Sequence, residues 1–501
     1  MNLTLLLLFP LFTAFVILFA KGLKQVRVIA LIGSIFQLLL AGKLLMAYYQ
    51  IKAQGNQSQM VFEYIQNWYA PLHLQYHIGV DGISIAMILL TAFVVVAGIL
   101  VSWKTEQLSK EFFFLLILLS LGAYGFFISL DLFTLFFFLE VAVIPKFLLI
   151  GIWGSGKKDN SAMKLALMLM GGSALILVGI LGIYFNTHTE TGIHTFDLLL
   201  ISKMNIALPI QKIFFPFAFI GFGVFTAIFP FHTWVPDGHA SAPTAASMFL
   251  AGISMKLGGY GCLRVATFLM PDAAHAYSWI IILLATIAII YGAFATMMQT
   301  DLKYINAYSS ISHCGFVLLG IGMLTKTAIM GAVMQMVSHG LMTALFFAAI
   351  GMIYSRTHTR MVSQLGGLLK AMPFISSVFV IAGLCSLGLP GFSGFAAEMT
   401  VFMGSWQNPD KWFRLATILA CASIVVTAVY ILRAAGQTIM GPMVNKEHEL
   451  LTDASWNEKS AAILLIVGIV IVGIAPFWLI DLIQPGTEFI MSKLGAVALV
   501  K

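Results

Sequence analysis

The sequence predicts an all-α polytopic membrane protein of about 14 transmembrane helices. Three observations carry that prediction. Of the 501 residues, 60% are hydrophobic and only 9% are charged, whereas soluble chains carry about 25% charged residues. Apolar runs long enough to cross a bilayer, about 20 residues each, recur along the whole chain. Two of these runs are interrupted by Pro and Gly, a pattern that a membrane tolerates only where backbone lines protein or a wet cavity. The same composition excludes disorder and a secreted disulfide scaffold. Cys262, Cys314, Cys385 and Cys421 stand in apolar stretches without metal-ligand spacing and read as small core residues.

Runs bounded by charges or Pro/Gly clusters place spans near 3–20, 27–49, 81–103, 112–130, 131–153, 161–185 and 211–231. Further spans are expected near 242–270, 276–300, 302–323, 325–354, 373–405, 412–440 and 460–483. The first run lacks a basic start and a clear small-residue cleavage site, so it is read as a mature helix. Lys and Arg favour one set of loops fifteen to eight, which puts both termini on the outer side. That count assigns Lys303 to an inner loop and Lys501 to the outer side. The net charge of +7 reflects this loop bias and not nucleic-acid binding. Segments 50–80 and 186–212 are outer loops, expected as short hairpins or interfacial pieces. Segment 441–459 is the sizeable inner loop, and its Asp453-Ala454-Ser455-Trp456 reads as a helix start. No large soluble domain remains, so no nucleotide, flavin or iron–sulfur module is expected on this chain, and no phosphate-binding glycine loop is present.

Few charges fall well inside the predicted spans. They are Glu140, Glu398, Lys43, Lys146, Lys256 and Arg264. A charge at a helix centre costs about 2.5–3.5 kcal/mol on insertion scales, so each needs a partner or water. Lys43 and Arg264 are long enough to snorkel to the interface. The short carboxylates cannot reach so far, which makes Glu140 and Glu398 functional candidates. Glu140 stands in LFTLFFFLEVAVIPKFLLIGIWG, with Lys146 six residues on. Six residues turn a helix by about 240°, so the two do not share a face, although Pro145 can distort the geometry. Lys256 stands in MFLAGISMKLGGYGCLR. Its glycines let a neighbouring helix approach or leave room for water. A desolvated lysine hands on a proton near neutral pH; the plainer alternative is a lysine held by backbone carbonyls.

His313 and His339 lie in apolar runs that also carry Ser309, Ser310, Ser312, Gln335, Ser338 and Thr343. Serines, imidazoles and trapped water form a proton wire. Neither helix offers a second His or acid at i+3 or i+4, so no metal site is expected. The interrupted runs are IFPFHTWVPDGHASAPTAAS and LGLPGFSGFAAEM, five spans apart. That odd offset suits two five-helix units of opposite topology.

Four segments resemble the antiporter-like membrane subunits of respiratory complex I: PFHTWVPDGHASAPTAASMFLAGISMKLGGYG, YSSISHCGFVLLGI, MVSHGLMTALFF and GLPGFSGFAAEM. The resemblance runs over nearly the whole chain, and LEVAVIPKFLLIGIWG together with the ending near Lys501 is most similar to the M type. It implies helices 1–3 with the outer loop in 1–111 and two inverted five-helix repeats in 112–270 and 271–440. The inner loop and helix 14 follow in 441–501. It implies that Glu140 is the helix-five glutamate, Lys256 the central lysine of helix eight and Glu398 the acid of the broken helix twelve. His313 and His339 then match polar-axis positions. The family usually carries a lysine in helix seven as partner to the glutamate. Here Phe225 stands at that position, and no Lys or Arg occurs between Lys212 and Lys256. Either Lys146 takes over the partner's role, or it snorkels and Glu140 titrates without a dedicated partner.

The function implied is proton translocation in the membrane arm of an NADH–quinone oxidoreductase of a bacterial inner membrane. Flavin, iron–sulfur clusters and quinone belong to other chains, and none is expected here. The implied partners are lipid and the other membrane subunits, above all L- and N-type antiporter-like chains. Three rival readings share these features: a subunit of an Mrp-type cation/proton antiporter, the membrane arm of an energy-converting hydrogenase, and a structural anchor without pumping.

Overall fold

A computed structural model describes residues 2–56, 58–188 and 192–498, the side chains of 496–498 excepted. Lys501 and the stretch 189–191 of the second outer loop lie outside the described residues. Without water, a chain must satisfy its backbone polar groups within itself, and helices do so segment by segment. Among the described residues, ten helices are long and apolar enough to cross a membrane. The short apolar helices Leu5–Phe19 and Pro373–Ser386 join them, as do the run Thr244–Thr267 and the helix Leu302–Gly322. These make up the fourteen crossings expected.

In chain order, α1 (Leu5–Phe19) and α2 (Leu23–Ala53) precede a two-stranded hairpin, β1 (Val61–Tyr69) and β2 (Leu74–Val80). Then come α3 (Gly82–Val101), α4 (Ser109–Ile128), α5 (Leu132–Trp153), α6 (Lys158–Asn186) and the short α7 (Leu198–Lys203). The first broken span is α8 (Leu208–Thr226) with α9 (Trp234–Ser241). The next runs through α10 (Thr244–Phe249), a π turn at Leu250–Ser254, α11 (Met255–Gly261) and a second π turn at Cys262–Thr267. It is followed by α12 (Pro271–Met297), α13 (Leu302–Gly322), α14 (Lys326–Thr357) and the single turn α15 (Leu368–Ala371). The second broken span is α16 (Pro373–Ser386) with α17 (Ser393–Trp406). The chain ends in α18 (Lys411–Thr438), α19 (Trp456–Ile474) and α20 (Phe477–Ala498).

Acids outside the spans start the helices. Asp81 accepts from Ser84 N at 2.9 Å, Asp131 from Thr134 N at 2.9 Å, and Asp410 from Trp412 N at 2.7 Å. Each satisfies an otherwise orphaned donor in the first turn. The expected start at 453–456 is a capping box: Ser455 N donates to Glu458 at 2.7 Å. Asp453 itself accepts from Phe374 N at 2.8 Å, at the start of α16. In the middle of the bundle, α14 is buried over its whole apolar window and α3 over 89% of it. The outer helices are buried over a third to a half of theirs and turn apolar side chains outward, as lipid contact requires.

Two features differ from expectation. The run 460–483 is not one span: α19 stops at Ile474, because Pro476 has no N–H to continue the ladder. Beyond it, α20 packs Leu479, Leu482, Ile483, Ile490 and Leu494 against the bundle. And Cys421 is exposed on α18, whereas Cys262, Cys314 and Cys385 are buried as read. The hairpin in segment 50–80 is one of the short outer-loop hairpins expected.

The hairpin is bound down by charge. β1 is mostly exposed and β2 mostly buried. His77 on β2 holds Asp197 through Nδ1 at 2.7 Å and faces Glu63 through Nε2 at 3.6 Å. Asp131 accepts from Gln75 N at 3.3 Å. Burial pulls the His77 pKa down, but the Asp197 hydrogen bond and the charges of Asp197 and Glu63 outweigh it, and the net shift is upward. Burial raises the Asp131 carboxyl to about 6, against opposing hydrogen bonds from Thr134, Gln75 and Phe133. A folded-state pKa above the unfolded one gives stability that is full at low pH and lost as pH rises through the folded value. Both groups therefore loosen the hairpin in the same direction. Hydrogen exchange of amides 61–80, corrected for intrinsic rates, should show protection falling from about pH 4 to about 6 as Asp131 ionises, and falling further above about 6.5 as His77 loses its proton. His77→Gln should flatten the part of that dependence due to the imidazole; an unchanged profile would exclude the clasp.

Candidate functional site

The candidate site is a row of buried ionisable side chains across the middle of the bundle. Lys256 lies on α11 between the two π turns, where π geometry commonly marks functional positions. Its Nζ donates to Ala251 O and to His339 Nδ1, the latter at 2.8 Å. The two readings of this lysine are thus combined, one carbonyl and one imidazole, and no carboxylate pairs with it. Its glycines serve close approach. A Cβ at Gly258 would run into Thr226 and Phe222 O of α8, and one at Gly259 into Met336 of α14 at 2.8 Å.

His339 on α14 stands 5.4 Å from His313 on α13, ring centre to ring centre. His313 continues the row. Its Nδ1 lies 3.2 Å from Glu398 Oε1, and its Nε2 3.0 Å from Ser386 Oγ. Glu398 sits on α17 just past the second helix break, with Gly388 of that break against its other oxygen. Ser338 donates to Ser393 at 2.8 Å, where α17 begins. Lys256, His339, His313 and Glu398 are each at most 4% exposed. The sequence-predicted residues on these four helices therefore form one contiguous row.

The first break is stabilised locally. Ala227 turns out of α8 in a left-handed conformation (φ 67°), and Trp234 Nε1 donates to Val224 O at 2.9 Å. That bond satisfies a carbonyl that the interruption frees.

Glu140 and Lys146 form a separate group on α5, which runs continuously through Pro145. Glu140 is half-buried and Lys146 is 1% exposed. Glu140 Oε1 and Lys146 Nζ have no hydrogen-bond partner, and the two charges act on each other through space without a direct ion pair. The Lys146 ammonium lies 5.7 Å from the centre of the Phe225 ring. It thus stands against the residue that occupies the usual helix-seven lysine position, and it does not snorkel to a surface.

Two basic residues are corrected. Arg264 does not snorkel: it is 1% exposed and paired with the buried Asp81. Lys303 is not a loop residue. It is 4% exposed in the first turn of α13 and donates to Ala242 O at 2.6 Å. Lys43 is exposed on α2, as a snorkelling residue would be. His239 was missed altogether. It is fully buried with both ring nitrogens unpartnered, stacks on Phe347 at 5.0 Å, and feels the charges of Lys256 and Lys303. Its position next to the Pro236–Gly238 interruption was the one available signal. Among the described residues no group of three His, Cys, Asp or Glu is arranged to hold a metal.

A row of buried Lys, His and Glu side chains that ends on the second broken span is the arrangement a proton-translocating membrane subunit requires. The family described as "NADH:quinone oxidoreductase/Mrp antiporter, TM" matches residues 129–425, and the chain belongs to it. The chain is 36% identical to NAD(P)H-quinone oxidoreductase chain 4-2 of Synechocystis, over 87% of this chain and 78% of that one. It is 35% identical to NADH-quinone oxidoreductase subunit M of Rickettsia bellii, over 88% and 89%. In fold it is similar to a chain of respiratory complex I from Thermus thermophilus, at a TM-score of 0.88 with 24% identity over 98% and 99% of the two chains. A chain of the Mrp complex from Dietzia has the same fold at a TM-score of 0.84, with 18% identity over 98% and 99%.

Gly258→Ala should force α8 and α11 apart. Overpacking of this kind costs about 1–3 kcal/mol. The thermal unfolding temperature of the purified protein should fall; an unchanged value would mean that α8 can yield at this contact.

Proposed function

We propose that this chain is the M-type antiporter-like membrane subunit of an NADH–quinone oxidoreductase and moves protons along the row Lys256–His339–His313–Glu398. The observation that carries the proposal is the continuity of that row through a membrane interior. The redox chemistry and its flavin, iron–sulfur clusters and quinone belong to partner subunits. L- and N-type chains are the expected neighbours in the membrane. Residues 112–270 and 271–440 act as two inverted five-helix units, each with one broken helix. The Lys and Arg distribution supports both termini on the outer side, and the likeness to bacterial relatives supports a bacterial inner membrane.

The steps follow from the donor sets. Lys256 Nζ donates to His339 Nδ1, so transfer leaves a neutral amine and an imidazolium. His339 then passes a proton over the gap to His313 through a ring reorientation or one water. His313, with Nδ1 beside Glu398, delivers it to the carboxylate. Lys303 and His239 supply the approach to Lys256 from the face opposite the hairpin. The charge on Lys256 is set by Glu140 and Lys146: with the pair close, the local field near α8 is small, and with it apart, the ammonium's field repels a proton on Lys256. Lys146 takes the role of the absent helix-seven lysine, a reading supported by its ammonium lying on Phe225.

The first test is a mild detergent pull-down of the tagged chain with an NADH–quinone assay and a proton-uptake assay on the reconstituted eluate. Lys256→Met and Glu398→Gln should each abolish most proton uptake while the complex assembles. Full uptake in both variants would remove the proposed row. Recovery of membrane partners alone, with sodium/proton exchange and no NADH oxidation, would favour the Mrp-type reading.

The relocated charge has its own test. Lys146→Met should impair uptake nearly as much as Glu140→Gln. Adding Phe225→Lys to Lys146→Met should restore much of it. Wild-type uptake in Lys146→Met would mean that Glu140 works alone.

A further inference from the structure

We infer that Arg264 and Asp81 form a charge barrier that closes the hairpin end of the Lys256 helix to protons. Charge arriving at Lys256 can then leave only toward His339 and Glu398. This rests on the proton-carrying role proposed for Lys256.

A second polar line lies farther along the Lys256 helix, toward the hairpin face. Tyr260, one turn on, shares a hydrogen bond of 2.8 Å with Ser84 Oγ of α3. Ser84 N donates to Asp81 Oδ1 at 2.9 Å, and Asp81 Oδ2 holds Arg264 Nη2. Arg264 in turn lies 5.7 Å from the centre of the Tyr260 ring. All four residues are at most 2% exposed. Hydroxyls accept and donate, so the Tyr260–Ser84 pair is able to carry toward the hairpin face a proton that leaves the Lys256 region along this helix.

Arginine ends that line. Its guanidinium stays charged and has no acceptor, so it cannot relay a proton. A fixed positive charge in a narrow path excludes protons electrostatically. Asp81 engages only one branch of the guanidinium. Arg264 Nε and Nη1 are buried without partners, which leaves positive N–H groups facing the buried space. The C-terminal helix closes the top. Gly82 lies so close to Leu482 O, and Gly486 to the Asp81 carboxylate, that neither site has room for a Cβ. Phe268 and Phe489 pack beside them at 4.8 Å. A plain staple between α3 and the Lys256 helix would use the same ion pair, so the test must separate charge from tethering.

Passive proton leak is measured in proteoliposomes of the complex containing this chain, without NADH, under an imposed potassium diffusion potential. Arg264→Gln removes barrier and staple together. Asp81→Asn breaks the staple and keeps the barrier. Arg264→Lys keeps the charge. The leak should rise about tenfold in Arg264→Gln, the effect of a barrier lowered by about 1.4 kcal/mol. It should stay at the parent level in Asp81→Asn and Arg264→Lys. The double variant Asp81→Asn/Arg264→Gln, which buries an amide pair, should leak like Arg264→Gln and serves where the single variant does not assemble. A parent-level leak in both uncharged variants would overturn the barrier. So would equal leaks in Asp81→Asn and Arg264→Gln, which mark a staple. Lower NADH-driven pumping without any leak would make the line an exit path and would also overturn it. Absence of pumping in the parent complex would instead defeat the functional reading, and the leak comparison does not depend on it.

Discussion

An ammonium group deep in a membrane has to be neutralised, solvated or deprotonated. Lys256 has a carbonyl and one imidazole nitrogen, and neither is a counter-charge. That incomplete compensation organises the interior. A lysine paired with a carboxylate would be stable and inert, because removing its proton would strand the acid. A lysine held by a neutral imidazole has somewhere to send the proton. The rest of the core encloses this arrangement closely. The glycines bring α8 and α14 onto the lysine helix, and α14 is buried over its whole apolar window.

The two helix breaks solve a related problem. An intact helix presents no free backbone polar groups, so a charge beside it meets only side chains. Interruption creates turns and short side chains at the depth where the row needs them. Ser386 and Ser393 flank the second break, and one holds His313 while the other holds Ser338. At the first break Trp234 takes up the surplus carbonyl. The breaks therefore add polarity, paired at Ser386, Ser393 and Trp234 and left unpaired at His239.

Much of this was legible in the sequence, because a charge in an apolar run is a local signal. Glu140, Lys146, Lys256, His313, His339 and Glu398 stand out without any knowledge of neighbours. The helix breaks are equally local, marked by Pro and Gly. Residues near helix ends were not legible. Lys303 looks like a loop residue beside Asp301, and it is buried because Ala242, some sixty positions earlier, returns over it. Arg264 looked able to reach the surface because nothing in its own run shows that α20 covers that end. The turn at Ala475–Pro476, which sends α20 there, was hidden inside what reads as one apolar run. Burial at the rim of a bundle is decided by distant segments, and periodicity cannot report it.

The relocation proposed for Lys146, with Phe225 at the usual lysine position, changes how such a site would be moved. When glutamate and lysine stand on different helices, moving one helix against the other changes their separation. Glu140 and Lys146 stand on the same continuous helix, so rigid-body motion of α5 carries both together. Their separation then changes through the lysine stem, whose four carbons carry about 2 kcal/mol of rotamer entropy. The wall of α8 decides which rotamers fit, and the Phe225 ring offers the ammonium a face to rest on. Motion between α5 and α8 still acts on the pair, but by moving the surface against which Lys146 lies and not by moving a charge of its own. A helix-seven phenylalanine in place of lysine is thus compatible with gating, provided that the cation stays within reach of both Glu140 and the interface it senses.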